Sequence, residues 1–423
     1  VKSGVRGSFV NFTVLAVVSI FALTAGEYAV RYVPRSGEGY IRGFHKPDAE
    51  LGWVLSPNVR FLHKTAEGAI DVRYSSGGWR DGEFSLEPPV GVFRVAVLGD
   101  SFMEAYSVEL EDSFHRRLQA AFEEQGRRVE VMNFGVAGYA TLQEYLVYLR
   151  NVRAYSPDLV VLAFFVANDV NGNSLELERS VHTGVQKLLS RPFLEDGGGW
   201  RTMQVDHELS ERIFASHLGR SPAPYSMSAR RSLLVREFFY RTVPLRRRLF
   251  GAPPPAVPVP PEFQPRHDVS LHVVHACREP AAVTRAWEAT AKILARLRDA
   301  VRADGAEFAV FDVPAWEEVD PVRSREVTER DVELTDLCLA DAPGHERLFS
   351  ILIELGIPAI DLLPHFRKAL RSEGAGLFLT DEHWSEAGHE LAAGLVADGL
   401  AARGLVPETG DAGTAPGVTL AGR

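Results

Sequence analysis

Apolar residues in this chain fall into short unbroken runs, separated by stretches in which they recur every three or four positions. Residues 93–98, 129–135, 159–166, 308–313 and 358–363 are such runs, rich in Val, Ile, Leu and Phe, and they predict buried strands. Helical spacing occupies 114–122, 142–155, 286–303, 347–355 and 385–402. The strand runs are apolar at nearly every position instead of every second one, most clearly Leu159-Val160-Val161-Leu162-Ala163-Phe164-Phe165-Val166. A strand buried on both faces belongs to a parallel sheet with helices packed against each side. The pattern therefore predicts an α/β protein of three layers, α/β/α.

Several regions depart from this rhythm. Residues 8–25 carry no charge and follow Lys2 and Arg6, which predicts an N-terminal transmembrane anchor or signal peptide within residues 1–30. Leu23 stands where a cleavage site after Ala25 needs a small residue, so the preferred reading is a retained single-pass anchor, with the catalytic part on the periplasmic or extracytoplasmic side. Residues 31–90 hold short segments broken by Gly and Pro, among them Leu51-Gly52-Trp53 and a strand-like alternation at 70–74. They predict a small β-rich preamble in which Trp53 and Trp79 are core or hinge aromatics. Residues 173–285 interrupt the alternation and read as an insertion lying lid-like over the sheet. It contains an Arg-rich stretch at 228–250, read as a solvated helix face, and the proline run 253–261, a semi-rigid extended connector. The alternating domain is thus divided into 91–172 and 286–405, and 406–423 is expected to be a disordered tail.

Composition narrows the function classes. Lys and Arg number 46 against 56 Asp and Glu, a formal charge of -10 with no long basic stripe, which argues against nucleic acid as a partner. Cys277 and Cys338 are too few for a disulfide scaffold or a four-cysteine zinc site. Whether they pair is open, because an oxidising compartment permits it but nothing in the sequence fixes their separation. His272-Val273-Val274-His275-Ala276-Cys277 has a ligand-like spacing without a fourth soft ligand. Neither His-Glu-x-x-His nor a phosphate-binding Gly-x4-Gly-Lys-Ser/Thr occurs. No metal or cofactor is expected, and the oligomeric state is not legible.

The chemistry gathers just beyond the strands. In an open α/β sheet, ligands bind outside the carboxyl ends of the strands. The first strand ends at Gly99-Asp100-Ser101 and presents a serine there. A serine hydroxyl is a weak nucleophile that needs a base, a group to orient that base, and donors for the oxyanion. His383, between the last strand and the last helix, and Asp381 two residues ahead of it are residues of the first two kinds. The loop 133–139 after the second strand contains Gly138, and Val166-Ala167-Asn168-Asp169 follows the third, so a glycine N–H and an asparagine amide stand where donors belong. Taken singly, each of these has an ordinary reading as a turn, a cap or a surface histidine. Their succession along one sheet edge carries the argument. A Gly-x-Ser-x-Gly elbow is absent because Met103 stands in place of the second glycine, which disfavours an ordinary α/β-hydrolase.

These blocks, Gly99-Asp100-Ser101, the glycine after the second strand, Asn168-Asp169, and Asp381 with His383, resemble those of the SGNH, or GDSL, hydrolases. The resemblance takes in Leu51-Gly52-Trp53 and residues 93–175 and 358–400. It implies a flavodoxin-like fold, with Ser101 as nucleophile, His383 as base and Asp381 as its partner. It also implies an oxyanion hole made by the Ser101 N–H, the Gly138 N–H and the Asn168 side chain. Asp381-Glu382-His383-Trp384 departs from the common Asp-x-x-His and is similar to the Asp-x-His-Trp of the alginate O-acetyltransferases. Val166 stands where the third block usually begins with glycine. The expected activity is a serine esterase working on O-acyl (acetyl) esters of carbohydrate or envelope material. An O-acyltransferase acting on a polysaccharide uses the same residues. A non-catalytic SGNH-fold module that binds polysaccharide or helps assemble an export complex is the alternative from another class.

Overall fold

The five apolar runs pair into one parallel sheet. Its strands are β1 (Phe93–Leu98), β2 (Val129–Asn133), β3 (Leu159–Phe164), β4 (Glu307–Asp312) and β5 (Ala359–Ile360). They hydrogen-bond in the order β5-β4-β3-β1-β2, every pair parallel. This is the flavodoxin-like order, whose direction of winding reverses between β1 and β3 and opens a crevice beyond their carboxyl ends. The structure, a computed structural model, describes residues 14–15, 17–26, 36–37, 45–181, 185–194, 201–217, 258–374 and 376–408.

Helices α1 (Ser101–Glu104), α2 (Phe114–Glu124), α3 (Thr141–Arg150), α4 (Val166–Gly172), α5 (Val185–Ser190), α6 (Ala281–Ala303), α7 (Pro343–Glu354), α8 (Leu363–Glu373) and α9 (Glu386–Ala402) surround it. The strand pleat divides the apolar residues between two cores. Val95, Val97, Val131, Val161 and Phe311 meet Phe114, Leu118 and Phe122 of α2 and Val396 and Leu400 of α9. Ala96, Leu98, Met132, Leu162 and Val310 meet Leu142 and Val147 of α3, Trp287 and Leu294 of α6, and Leu348 of α7. Each fully buried Val, Leu or Phe contributes about 1.5–3 kcal/mol, so a sheet covered on both faces is a rigid base for loops at its edge.

Several elements differ from the sequence pattern. β2 stops at Asn133, two residues short of the predicted end, because Asn133 turns its amide to the Arg80 and Met103 carbonyls while its Oδ1 accepts the Gly135 N–H. The run 358–363 divides into a two-residue strand and the start of α8, with Pro364 in the first helical turn. The third strand ends at Phe164, and the expected loop 166–169 is instead the first turn of α4. Residues 45–73 form two antiparallel pairs, His45–Asp48 with Gly52–Leu55 and Arg60–Lys64 with Ala69–Arg73.

Cys277 and Cys338, left open by the sequence, form a disulfide. Of the uncharged run 8–25, residues 8–13 and 16 lie outside the described residues, as do the Arg-rich stretch 228–250 and most of the tail. Residues 17–26 are helical, with Val17, Ile20, Phe21 and Leu23 exposed. Among the described residues, no helix is long and apolar enough to cross a membrane.

Candidate active site

Ser101 opens α1 directly beyond β1. Asp100 caps this turn by accepting the Phe102 N–H at 3.0 Å, and a Cβ on Gly99 would run into the Met103 side chain. Glycine is therefore what lets Met103, in the first turn of α1, pack back against the end of β1. The Ser101 Oγ lies 2.8 Å from His383 Nε2. On the other side of the ring, His383 Nδ1 stands 3.3 Å from Asp381 Oδ2, an ion-pair distance without hydrogen-bond alignment. Such contacts are commonly loose until substrate binds.

The Asp-x-His spacing works because of its middle residue. Glu382 has φ +71°, left-handed backbone that is uncommon outside glycine, and its carboxylate pairs with Arg323. The turn is closed by the Leu379 N–H donating to the His383 carbonyl and by the His383 N–H donating to Asp381 Oδ1 at 3.2 Å. A tight turn thus brings together two side chains that the shortened motif left in question. Burial pushes the Asp381 pKa up, but the His383 ring beside it and the Ser107 hydroxyl, donating to Oδ2 at 2.6 Å, outweigh burial and hold it at about 2. Phe102 and Tyr106 flank the imidazole. The next residue, Trp384, is fully buried and donates its ring N–H to the Pro314 carbonyl at 3.1 Å.

The Gly138 loop comes to the same end of the sheet. Gly138 has φ +75°, and neither its N–H nor that of Ser101 has a hydrogen-bond partner among the described residues. Asn168 is brought beside both, from α4 and not from a loop. Its amide donates to Asp100 Oδ2 at 2.9 Å and to the Tyr139 carbonyl at 2.6 Å. One residue thereby ties the Ser101 turn to the Gly138 loop, with both of its amide hydrogens engaged. Asp169, the other half of that block, accepts from Thr141 Oγ1 and the Phe165 N–H, both at 2.8 Å, and burial raises its pKa to about 8. Its work is to hold α4 in place. Glu104, raised by burial to about 7, likewise receives the Tyr74 hydroxyl and the Ala137 N–H at 2.7 Å each and fixes the approach to Gly138.

Four residues around the site were not read from the sequence in these roles: Ser107, Trp53, Arg191 and Lys187. The fully buried Arg191 guanidinium donates to the Gly138 carbonyl and to Gln143 Oε1, both at 2.8 Å. The Trp53 ring N–H donates to the Ala137 carbonyl at 3.1 Å. The Leu51-Gly52-Trp53 motif was a signal for the second. An arginine and a lysine within an aperiodic insertion carried none.

The His272 to Cys277 spacing resolves into pairs. His272 Nδ1 is 2.9 Å from Glu317 Oε1, His275 Nε2 is 3.5 Å from Glu318 Oε1, and the Cys277 sulfur is taken by the disulfide. Asp312, His345 and Asp361 have potential ligand atoms within 4.8 Å of one another. The Asp312 carboxylate is already occupied by the Leu362 and Leu363 N–H groups. Burial opposes charge on His345, yet the two carboxylates hold its pKa at about 10, so the trio reads as a closed ion pair.

A family model described as an SGNH hydrolase-like domain, acetyltransferase AlgX, matches residues 271–418, and one described as the GDSL-like lipase/acylhydrolase family matches 97–203. Over these two stretches, and in the order of its motif blocks, the chain is similar to the SGNH/GDSL hydrolases. Similar solved structures include TesA, at 11% identity over 73% of this chain and 97% of that one, with a TM-score of 0.33. The acetyl xylan esterase AlAXEase is 12% identical over 74% and 99%, with a TM-score of 0.35. Axe2, an acetylxylan esterase from Geobacillus stearothermophilus, is 11% identical over 73% and 94%, also with a TM-score of 0.35. No curated protein matches the chain.

Proposed function

We propose that the protein is a serine esterase that works through an acyl-Ser101 intermediate on O-acyl, chiefly acetyl, esters of carbohydrate or other envelope material. The observation that carries this reading is the 2.8 Å contact between Ser101 Oγ and His383 Nε2, with Asp381 at the other ring nitrogen.

In this scheme the Ser101 oxygen attacks the ester carbonyl carbon and its proton passes to His383 Nε2. The imidazolium that forms is stabilised by Asp381, which remains ionised because its pKa lies at about 2. Negative charge on the former carbonyl oxygen is met by the free Ser101 and Gly138 N–H groups. Asn168 joins them by exchanging one of its two present acceptors for the oxyanion. Collapse breaks the bond to the alcohol oxygen, which takes the proton from His383. Water then attacks acyl-Ser101 along the same proton route and releases the acid.

Transfer is the second reading. A sugar hydroxyl in place of water gives an O-acyltransferase, and the Asp-x-His-Trp block within the 271–418 match favours it. The Cys277–Cys338 disulfide and the uncharged run 8–25 support an extracytoplasmic location with N-terminal membrane attachment.

A fluorophosphonate probe tests the nucleophile. Wild-type protein is expected to be labelled at Ser101 and Ser101→Ala not at all; an unreactive wild type overturns the reading. Incubation with an acyl donor and an oligosaccharide, followed by mass spectrometry of the sugar, then separates transfer from hydrolysis.

A further inference from the structure

Against the Gly138 loop lies a helix, α5, that contains none of the motif residues. It comes from the insertion. A Cβ built on Gly138 would stand 2.9 Å from Lys187 Nζ and 3.5 Å from the Trp53 ring. Arg191, just beyond α5, is already occupied by the Gly138 carbonyl, by Gln143 and by Glu178, whose carboxylate lies 3.6 Å away. Lys187 is different. Its ammonium makes no hydrogen bond or ion pair among the described residues; burial and the charge of Arg191 hold its pKa below the ordinary lysine value, against the pull of Glu178 and Asp100.

An ammonium has three hydrogens to donate, and a cation withdrawn from water without a partner is costly. The neighbouring donors make its position informative. Both Asn168 amide hydrogens are engaged, so the hole as built offers two neutral backbone N–H groups, and the Lys187 ammonium, without a hydrogen bond or ion pair among the described residues, lies against Gly138, which carries one of them. A fixed charge next to a developing oxyanion in a partly dry site is among the strongest contributions to acyl-transfer catalysis.

We infer that Lys187 is a further oxyanion donor, its ammonium meeting the negative charge that develops on the substrate carbonyl oxygen beside Gly138, so that the insertion completes the acyl pocket. This rests on the acyl-Ser101 reading. It also gives the insertion a chemical role in addition to that of a cover.

The test uses the full chain and a small neutral acyl ester, so that attraction between Lys187 and a charged substrate plays no part. Lys187→Met is expected to lower kcat about ten- to a hundredfold with KM within about twofold of wild type. Lys187→Gln, closer in polarity should the methionine variant fold poorly, is expected to show the same loss, and Lys187→Arg to recover most of the activity. Fluorophosphonate labelling of Ser101 should slow in the same order while the three variants melt close to wild type. A kcat unchanged in the two neutral variants overturns the inference, as does a raised KM at constant kcat, or an arginine variant as impaired as the methionine one. A wild type that the probe does not label removes the acyl-Ser101 reading itself; a wild-type labelling rate in Lys187→Met removes only the role of Lys187.

Discussion

On the His383 side of Ser101 the candidate site is one turn, 381–383, whose His383 and Asp381 side chains are 20% and 37% exposed. On the Gly138 side it is a convergence of separate segments: Trp53 from the strand Gly52–Leu55, Glu104 behind Ser101, Asn168 from α4, and Lys187 with Arg191 from α5 and the residue after it. Arg191 and Glu104 in this second group are almost wholly buried. The base side is near the surface and depends on a few polar contacts that loosen and tighten cheaply. The donor side is locked by desolvated groups whose loss disturbs packing. Substitutions on the two sides should therefore separate chemistry from stability.

The largest effect is expected at Asp381. Asp381→Asn keeps the shape of the side chain but removes the charge that faces the imidazolium, and kcat should fall on the order of 10^4-fold. Because the side chain is more than a third exposed and solvent screens its ion pair, the melting temperature should fall only modestly, far less than for a buried charge. Steady-state kinetics beside a thermal melt checks both; a variant that loses stability along with activity would make the two sides of the site alike.

Arg191→Met should behave in the opposite way. It leaves the Gly138 carbonyl, Gln143 and the buried Glu178 without their cation, and removing one member of such a buried pair costs about 3–5 kcal/mol. The activity lost per folded molecule should be smaller, roughly tenfold, because the variant loosens the donor loop without removing a reacting group. Denaturant unfolding gives the first number and kcat of the folded fraction the second.

This contrast also explains what was legible in the chain. Strands buried on both faces announce themselves as unbroken apolar runs, and β1 to β4 lie where those runs fall. β5 was drawn too long because an apolar run continues unchanged from a strand into the first turn of α8, and periodicity alone does not divide the two. That Ser101, Asp381 and His383 would lie together was legible because each is fixed by its immediate neighbours: a glycine before a turn, or two residues across one bend. Asn168 lies beside Ser101 and Gly138 as its motif implied, but on a helix and not in a loop, since Asn and Asp in succession read as a turn when nothing in the sequence shows that Asp169 is buried beneath it. Lys187 and Arg191 were beyond reach in principle. What places them is tertiary packing of α5 against Gly138, and a surface lysine and a buried one are the same letter.

Ser107 provides the finest test of the exposed side, because its hydroxyl touches Asp381 and no group that reacts. In Ser107→Ala the carboxylate loses one donor but keeps the His383 ring, so kcat near neutral pH should fall only about fivefold, the worth of roughly one hydrogen bond. The acid response is more telling. The folded Asp381 titrates at about 2, below its ordinary 3.8, so the stability it contributes is complete above 3.8 and is lost as pH falls through about 2. Without Ser107 the folded value rises toward 3.8, that contribution shrinks, and acid unfolding should begin at a higher pH than in wild type. Ser107→Thr, which retains the hydroxyl, should restore both kcat and the acid profile. Superimposable acid profiles for Ser107→Ala and wild type would mean that the His383 ring alone holds the carboxylate down, and that the base side of the site depends on the 381–383 turn without help from the segment behind Ser101.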